Sequence, residues 1–170
     1  MTNKALIAMS GGVDSSVAAF LTKDMGYDAT GITLKLFDNE DIGEKREKTC
    51  CSLDDIDDAR RVCLKLGIPY YVYNFKDSFK ENVINRFIRA YENGTTPNPC
   101  IDCNRFIKFE KLIRRAEELD FDCVVTGHYS TIEYDKGADR YLLKKSVDST
   151  KDQSYVLYCL TPVSWARRCV

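Results

Sequence analysis

The feature that most constrains the fold of this 170-residue chain is a glycine-serine turn, SGGVDSS, at residues 10–16. An apolar run from Lys4 to Met9 precedes the turn and predicts a buried strand. A helical pattern from Val13 to Met25 follows it and ends at Gly26. Two glycines let the backbone turn sharply, and the helix presents its N-terminal N–H groups to the turn. The junction of the first strand and first helix therefore predicts a phosphate-binding site.

Apolar runs and helical patterns continue to alternate along the chain, which is typical of βαβ units and a parallel sheet. Further strands are predicted at Ala29–Leu36, Tyr70–Tyr73 and Cys123–Thr126. Helices are predicted from a capping box at Ser52 and Asp55 to Leu66, from Phe79 through Val83, Phe87 and Ala90 to near Gly94, and from Ile107 to Leu119. We therefore predict one doubly wound, Rossmann-like α/β domain over residues 1–170.

The remaining segments are predicted to be a polar loop at 38–50, a hairpin from Thr131 to Lys145 around Gly137, and a helix or turn at 153–160. Ligands of open α/β sheets bind at the carboxyl ends of the strands. The loops after Met9, Leu36, Tyr73 and Thr126 should therefore face one crevice.

Composition excludes several classes of function. His128 is the single histidine, which argues against multi-histidine metal centres and Ser-His-Asp hydrolases. No stretch reaches the ~18 to 20 apolar residues of a membrane span, so we expect a cytoplasmic protein that does not bind membranes. The net charge is −1, but residues 95–116 hold five basic and two acidic residues. A local basic face and a solvated helix face both remain possible interpretations there, for Lys108, Lys111, Arg114 and Arg115.

The glycine-serine turn lacks the Gly-Lys-Ser/Thr of a Walker loop and the G-x-G-x-x-G of dinucleotide folds. Its serines, Ser10, Ser15 and Ser16, add hydroxyl donors to the backbone N–H groups. Asp14 supplies a carboxylate for a magnesium ion that bridges phosphates.

A second informative segment is TPNPCIDCNR at residues 96–105. We expect Cys100 and Cys103 just before a helix whose first turn carries Arg105 and Lys108. A helix N-terminus and nearby cations favour a nucleophilic thiolate. A redox pair, half of a zinc or iron–sulfur site, and two inert thiols remain alternatives. Cys63 and Cys123 are predicted to pack in the core.

The turn SGGVDSS resembles the pyrophosphate loop of the N-type ATP pyrophosphatases, which cleave ATP between the α and β phosphates. The chain as a whole is similar to the tRNA-specific 2-thiouridylases, which are wobble-uridine sulfurtransferases. The similar segments are AMSGGVDSSVAA, DDIDDARRVCLKLGIPYYV, NGTTPNPCIDCNRFIKF, GHYS and KDQSYVLY. This resemblance implies an adenine nucleotide alpha hydrolase-like fold and a cytoplasmic enzyme.

The resemblance also implies a reaction in two steps. The uracil 2-oxygen attacks the α-phosphate of ATP, and a cysteine persulfide sulfur then displaces AMP. Cys103 would be the nucleophile, and Asp14 would be a catalytic residue that holds Mg²⁺. The residues implied to bind ATP are Ala8, Met9, Ser10, Gly11, Gly12, Val13, Asp14, Ser15, Ser16, Leu34 and Gly127. Those implied to contact tRNA are Asn98, Pro99, Cys100, Lys151, Asp152 and Gln153.

Members of this family continue with a central domain, a β-barrel and a second cysteine that carries the persulfide. Residues 162–170 do not resemble that continuation, and neither Cys159 nor Cys169 lies in a segment like the persulfide motif. We therefore expect ATP binding but weak sulfur transfer from this chain. A cysteine desulfurase or sulfur relay protein would donate the sulfur. Another adenylating ligase of the pyrophosphatase superfamily and a noncatalytic nucleotide- or RNA-binding fragment remain alternatives.

Overall fold

A four-stranded parallel sheet forms the centre of the computed structural model, which describes residues 2–38 and 53–160. Its strands are β1 (Lys4–Ala8), β2 (Asp28–Lys35), β3 (Tyr70–Asn74) and β4 (Cys123–Val125), in the order β3-β2-β1-β4. The chain first adds strands on one side of β1 and then crosses to its other side. This reversal confirms the predicted doubly wound sheet.

The predicted hairpin is formed by β5 (Thr131–Asp135) and β6 (Arg140–Lys144), which pair antiparallel. The helices of the described ranges are α1 (Val13–Asp24), α2 (Leu53–Leu66), α3 (76–92), α4 (99–118) and α5 (Ser154–Leu157). Both α3 and α4 contain π-helical segments, Lys80–Ile84 in α3 and Cys103–Lys111 in α4.

Helices cover both faces of the sheet because alternate residues of β1 point to opposite sides. Ala5 and Ile7 pack with α1 and α2, whose Ala19 and Cys63 are fully buried. A Cβ atom on Gly31 of β2 would lie 2.5 Å from Cys63 Sγ, so only glycine admits α2 this close to the sheet. The predicted core positions of Cys63 and Cys123 are confirmed.

The opposite face of the sheet packs against α3 and α4. Leu6 of β1 and Val124 of β4 share a cluster there with Val83 of α3 and Leu112 of α4. The domain therefore has three layers, with α1 and α2 on one side of the sheet and α3 and α4 on the other.

The start of α4 differs from the prediction. The helix begins at Pro99 rather than near Ile107, so Cys100 and Cys103 lie inside its first turns and not ahead of it. Asn98 accepts a hydrogen bond from the backbone N–H of Cys100 at 3.0 Å, and proline occupies the first helical position. A side-chain cap followed by proline starts a helix here, although no apolar periodicity marks it.

Several predicted features lie outside the described residues: Ser52 of the capping box, the 39–50 part of the polar loop, and residues 162–170. Over 2–38 and 53–160, no helix is long and apolar enough to cross a membrane.

Candidate active site

The glycine-serine turn at residues 10–16 links β1 to α1, and we call it the phosphate loop after its predicted ligand. Gly12 is the N-cap of α1, and no side chain caps the helix, so its first N–H groups face the loop. The hydroxyls of Ser15 and Ser16 donate to the carbonyl of Gly12 at 3.0 and 2.9 Å. The N–H of Ser10 donates to Ser15 Oγ at 3.2 Å. The loop is therefore tied internally while its helix end remains available to an anion.

Close backbone packing fixes this loop from two sides. Gly11 has a φ of +77°, and a Cβ there would lie 2.6 Å from the carbonyl oxygen of Asp55 on α2. A Cβ on Gly127, just after β4, would lie 2.8 Å from the backbone N of Ser15. The predicted nucleotide residue Gly127 thus lies directly against the loop. The two meet between β1 and β4, where the strand order reverses and α/β folds bind ligands.

The carboxyl ends of β1 and β2 are also joined. The N–H of Met9 donates to the carbonyl of Ile32 at 2.7 Å, and Thr33 Oγ1 donates to the carbonyl of Met9 at 2.9 Å. Met9 and Leu34 are buried and Ala8 is partly buried. Met9 packs on the α1–α2 side of the sheet, whereas Ala8 and Leu34 pack on the α3–α4 side, so these predicted nucleotide residues lie at the strand ends beside the loop without sharing one face.

Asp14 lies exposed in the first turn of α1 and is held by a residue distant in sequence. The phenol of Tyr129 donates to Asp14 Oδ1 at 2.5 Å, and Asp14 raises the pKa of Tyr129. Lys151 Nζ lies 4.9 Å from the centre of the Tyr129 ring. The backbone N–H of Tyr129 donates to Gln153 Oε1 at 3.0 Å, and the N–H of Gln153 returns a bond to the carbonyl of Tyr129 at 2.9 Å. The phosphate loop and the predicted tRNA segment are therefore neighbours.

Asp152 differs from Lys151 and Gln153 in having a local structural task. Its carboxylate accepts the N–H of Ser146 at 2.8 Å and the hydroxyl of Ser154 at 2.7 Å. The bond from Ser146 is the main cause that lowers the pKa of Asp152. This residue thus holds the turn that carries its two neighbours.

His128 forms part of the wall after β4. Its Nδ1 lies 2.8 Å from Thr126 Oγ1, and its ring centre lies 5.6 Å from that of Phe109. Burial lowers the pKa of His128 to about 4, and the positive charge of Lys108 adds to the effect. A neutral imidazole with so low a pKa is a weak general base at neutral pH.

The cysteine-bearing end of α4 is arranged by side-chain bonds. Cys100 is exposed, whereas Cys103 is partly buried and packs against the cluster that contains Leu34. Asn104 is 5% exposed, and its Nδ2 donates to the carbonyl of Cys100 at 2.8 Å. Its Oδ1 accepts no hydrogen bond from the described part of the chain. Asn98 and Asn104 thus hold the turn that presents the two cysteines.

The start of α4 from Asn98 to Asn104, which we call the cysteine-bearing turn, is connected to the phosphate loop by α5. Ile101, between the two cysteines, packs against the cluster of Val156 and Leu157 on α5. That helix directly follows Gln153, which is bonded to Tyr129. A continuous path of contacts therefore leads from Asp14 to the cysteine-bearing turn.

Charged side chains surround the same end of α4. Arg86 Nε lies 3.2 Å from Asp102 Oδ2, and the guanidinium groups of Arg86 and Arg105 each lie 5.0 Å from the Phe106 ring centre. Farther along α4, Arg114 and Arg115 both pair with Glu118, at 3.6 and 2.9 Å. This pairing favours the solvated-face interpretation for those two arginines.

The donor set decides which cofactors fit. Within 2–38 and 53–160, no three His, Cys, Asp or Glu side chains are grouped so that they could hold a metal ion. Mg²⁺ commonly keeps its waters and binds through one carboxylate and substrate phosphates. A single carboxylate such as that of Asp14 is enough for that arrangement. The uncapped end of α1 suits a nucleotide phosphate.

Sequence reasoning gave no role to Tyr129 and Asn104. Tyr129 belongs to the GHYS segment, but no local pattern indicates that its phenol reaches a residue 115 positions away. Asn104 follows Cys103 directly, but its burial depends on tertiary packing, because apolar periodicity begins only at Ile107.

Comparison with known proteins identifies the family. A family model described as the tRNA methyl transferase HUP domain matches residues 3–168. The tRNA-specific 2-thiouridylase MnmA of Clostridium beijerinckii is 55% identical over 161 residues, which cover 95% of this chain and 44% of that protein. The tRNA-specific 2-thiouridylase MnmA 1 of Thermoanaerobacter sp. is 56% identical over 160 residues, which cover 94% of this chain and 44% of the relative.

The chain thus spans less than half the length of these curated relatives. A solved structure of a glutamine-dependent NAD+ synthetase from Acinetobacter baumannii, in complex with ADP, superposes with a TM-score of 0.50 and 13% identity. The match covers 72% of this chain and 21% of that one, and it shows a common fold. Because the family model matches residues 3–168, the chain belongs to the tRNA methyl transferase HUP domain family.

Proposed function

We propose that this chain is the ATP-binding, base-activating domain of a tRNA uridine 2-sulfurtransferase. The observation that carries the proposal is the uncapped N-terminus of α1, enclosed by Gly11 and Gly127 at the point where the strand order reverses. The names of the relatives, tRNA-specific 2-thiouridylases, supply the reaction class.

In the first step, the 2-oxygen of a tRNA uridine attacks the α-phosphorus of ATP, and the bond to the β-phosphate breaks. The backbone N–H groups at the start of α1 and the hydroxyls of Ser10, Ser15 and Ser16 would hold the pyrophosphate that leaves. Asp14 would hold a nucleotide-borne Mg²⁺, which supplies charge neutralisation at the phosphates. Ala8, Met9 and Leu34 at the carboxyl ends of β1 and β2, with Gly127 beside the loop, would take the adenosine end.

In the second step, the outer sulfur of a cysteine persulfide adds to C2 of the activated base, and AMP leaves with the former oxygen. The sulfur–sulfur bond must then break so that the sulfur stays on the base. A second thiolate does this by attacking the carrier cysteine, and Cys103 is the residue proposed for that attack. Cys103 lies in the second turn of α4, partly buried and bordered by Asn104.

The tRNA would bind across the outer ends of α4 and α5. Asn98, Pro99 and Cys100 would face the target base, and Lys151 with Gln153 would contact the RNA backbone, while Asp152 holds their turn. A sulfur-donor protein, a cysteine desulfurase or relay protein, would supply the persulfide. The location of the reaction in the cytoplasm is part of this proposal.

Pyrophosphate release tests the first step. Purified chain with ATP, Mg²⁺ and unmodified tRNA should release pyrophosphate, and Asp14→Asn should reduce the rate by about 100-fold, in the range of a lost electrostatic contact. Release that does not depend on tRNA would contradict a uridine as the nucleophile.

Cys103→Ser separates this function from another adenylating ligase. With a sulfur-donor protein present, the variant should keep tRNA-dependent pyrophosphate release and lose any thiolated uridine. Cys159→Ser, at a partly buried free cysteine outside the proposed site, is the matched control and should retain both. Unchanged thiolation in Cys103→Ser would favour a ligase that needs no thiol.

A second candidate follows from the length comparison, since the matched part is 44% of the relatives. The chain would then bind ATP without completing sulfur transfer. ATP binding with no pyrophosphate release, measured on the folded chain with tRNA present, would favour this candidate. Efficient thiolation by the chain alone would exclude it.

A further inference from the structure

The Tyr129 side chain joins two parts of the site that are otherwise separate. Its phenol bonds to Asp14 on α1, and its backbone exchanges two hydrogen bonds with Gln153, one through the side-chain oxygen and one through the main chain. Lys151 lies over the same ring at 4.9 Å. No other residue of the described ranges is bonded to both Asp14 and Gln153.

We propose that Tyr129 is a positioning residue that holds the carboxylate of Asp14 and the 151–153 segment in one hydrogen-bonded unit. The proposal deepens the proposed function and rests on it where nucleotide and RNA are concerned. A change at either end should then be felt at the other, so that nucleotide in the phosphate loop orders the segment proposed to contact tRNA.

The geometry supports a positioning role rather than a catalytic one. The phenol occupies Oδ1 of Asp14 and leaves Oδ2 for a cation, so the bond orients the carboxylate without consuming it. A phenol donating to a carboxylate is a charge-assisted hydrogen bond, which is shorter and stronger than a neutral one. Asp14 is exposed, and without this bond its side chain would sample several rotamers.

The cation above the ring completes the unit. An ammonium group within about 6 Å of an aromatic centre is attracted to the ring face. Lys151 is exposed and so keeps its charge available to an RNA phosphate while its position is set by Tyr129. Tyr129 thus sets the positions of two charged groups. One is the Asp14 carboxylate, which is proposed to hold a cation, and the other is the Lys151 ammonium, which is proposed to contact RNA.

Amide hydrogen exchange on the 170-residue chain without nucleotide is the first arm of the test. Tyr129→Phe removes only the phenol oxygen, and we expect about fivefold faster exchange in the 151–153 segment, the equivalent of one hydrogen bond. Asp14→Ala should produce a similar change, and the double variant should exchange no faster than either single variant. Tyr155→Phe, half-exposed on α5, is the matched control and should exchange like the wild type.

The second arm adds ATP with and without Mg²⁺. In the wild type, Mg²⁺-ATP should slow exchange at 151–153, and in Tyr129→Phe it should bind without slowing that segment. Tyr129→Phe should also weaken binding of Mg²⁺-ATP by about fivefold and leave Mg²⁺-free ATP unchanged, which a general structural defect would not do.

Additive effects, or unchanged exchange at 151–153 in Tyr129→Phe, would overturn the inference. A wild type that binds no nucleotide would instead refute the proposed function, and the nucleotide-free arm would still decide whether Tyr129 joins the two parts.

Discussion

The phosphate loop and the cysteine-bearing turn of α4 are held in place by different means. The loop is fixed by backbone packing, since neither Gly11 nor Gly127 has room for a single added carbon. The turn is fixed by side chains, because Asn98 caps it and Asn104 bonds to the carbonyl of Cys100. Backbone packing leaves one geometry, whereas side-chain bonds can break and re-form singly. The loop is therefore preorganised, whereas the turn can open one bond at a time.

The helix geometry points the same way. From Cys103 to Lys111, α4 is π-helical. Such wide turns are rare in proteins, and those that occur are often found at functional sites. Among residues 2–38 and 53–160, the buried Oδ1 of Asn104 has no hydrogen-bond donor, so within that part of the chain this end of α4 keeps an unused polar acceptor. By contrast, α1 shows ordinary helical geometry from its first turn.

The largest expected effect tests the rigidity of the loop. Gly11→Ala adds a methyl group 2.6 Å from a backbone oxygen of α2 at a left-handed φ, and we expect a loss of about 3 kcal/mol or more in the free energy of unfolding. Gly26→Ala is the matched control, because its φ is +85° but nothing lies within 4 Å of the new carbon. It should lose only about 1 kcal/mol.

Urea unfolding of the two variants measures the difference directly, provided that the m value stays constant. Equal losses would mean that the strain of the left-handed conformation dominates and that α2 yields to the added carbon. The description of the loop as fixed by packing would then be wrong.

The next effect depends on pH and concerns the wall beside the loop. His128 has a pKa of about 4 in the folded protein and about 6.5 when unfolded. Between these values the unfolded chain binds the extra proton, so the free energy of unfolding falls as the pH is lowered. The contribution of the buried neutral ring is complete above pH 6.5, and about 3 kcal/mol of it is lost by pH 4.

Unfolding measured from pH 7 to pH 4 on the wild type and on His128→Gln isolates this residue, because the carboxylates titrate in both proteins. The chain has one histidine, so no other imidazole contributes. If the free energies of unfolding of the two proteins fall in parallel with pH, the His128 ring is already hydrated in the folded protein. The segment after β4 would then be less tightly packed than the phosphate loop beside it.

Sequence patterns predicted the sheet and the phosphate loop better than the cysteine-bearing turn. Each strand of the parallel sheet was placed within one or two residues, since buried apolar runs such as that of β1 carry a strong signal. The glycine-serine turn was placed at the correct junction because glycine and a helix start are local features. The hairpin of β5 and β6 was also predicted around Gly137.

The cysteine-bearing turn was placed wrongly ahead of its helix, because apolar periodicity begins only at Ile107 while the helix begins at its cap. The bond between Tyr129 and Asp14 had no local signal at all, since an exposed carboxylate and a partly buried tyrosine far apart in sequence meet only through the crossover of the fold. Contacts of this kind depend on tertiary packing, and composition or spacing does not predict them.

The smallest expected effect tests the adjustable turn. Asn98→Ala removes the cap of α4, and we expect about 1 kcal/mol less stability at most, together with faster amide exchange confined to Cys100 and its neighbours. Asn98→Asp keeps the acceptor and should restore both. Asn93→Ala, which removes an exposed side-chain bond to the carbonyl of Arg89 at the end of α3, is the matched control and should leave exchange at Cys100 unchanged.

A loss as large as that of Gly11→Ala would mean that the turn and the loop unfold together, since a side chain that fixes only its own turn cannot destabilise the whole sheet. A small and local loss would instead establish that the cysteine-bearing turn opens independently of the phosphate loop, which the proposed binding of tRNA at this turn requires.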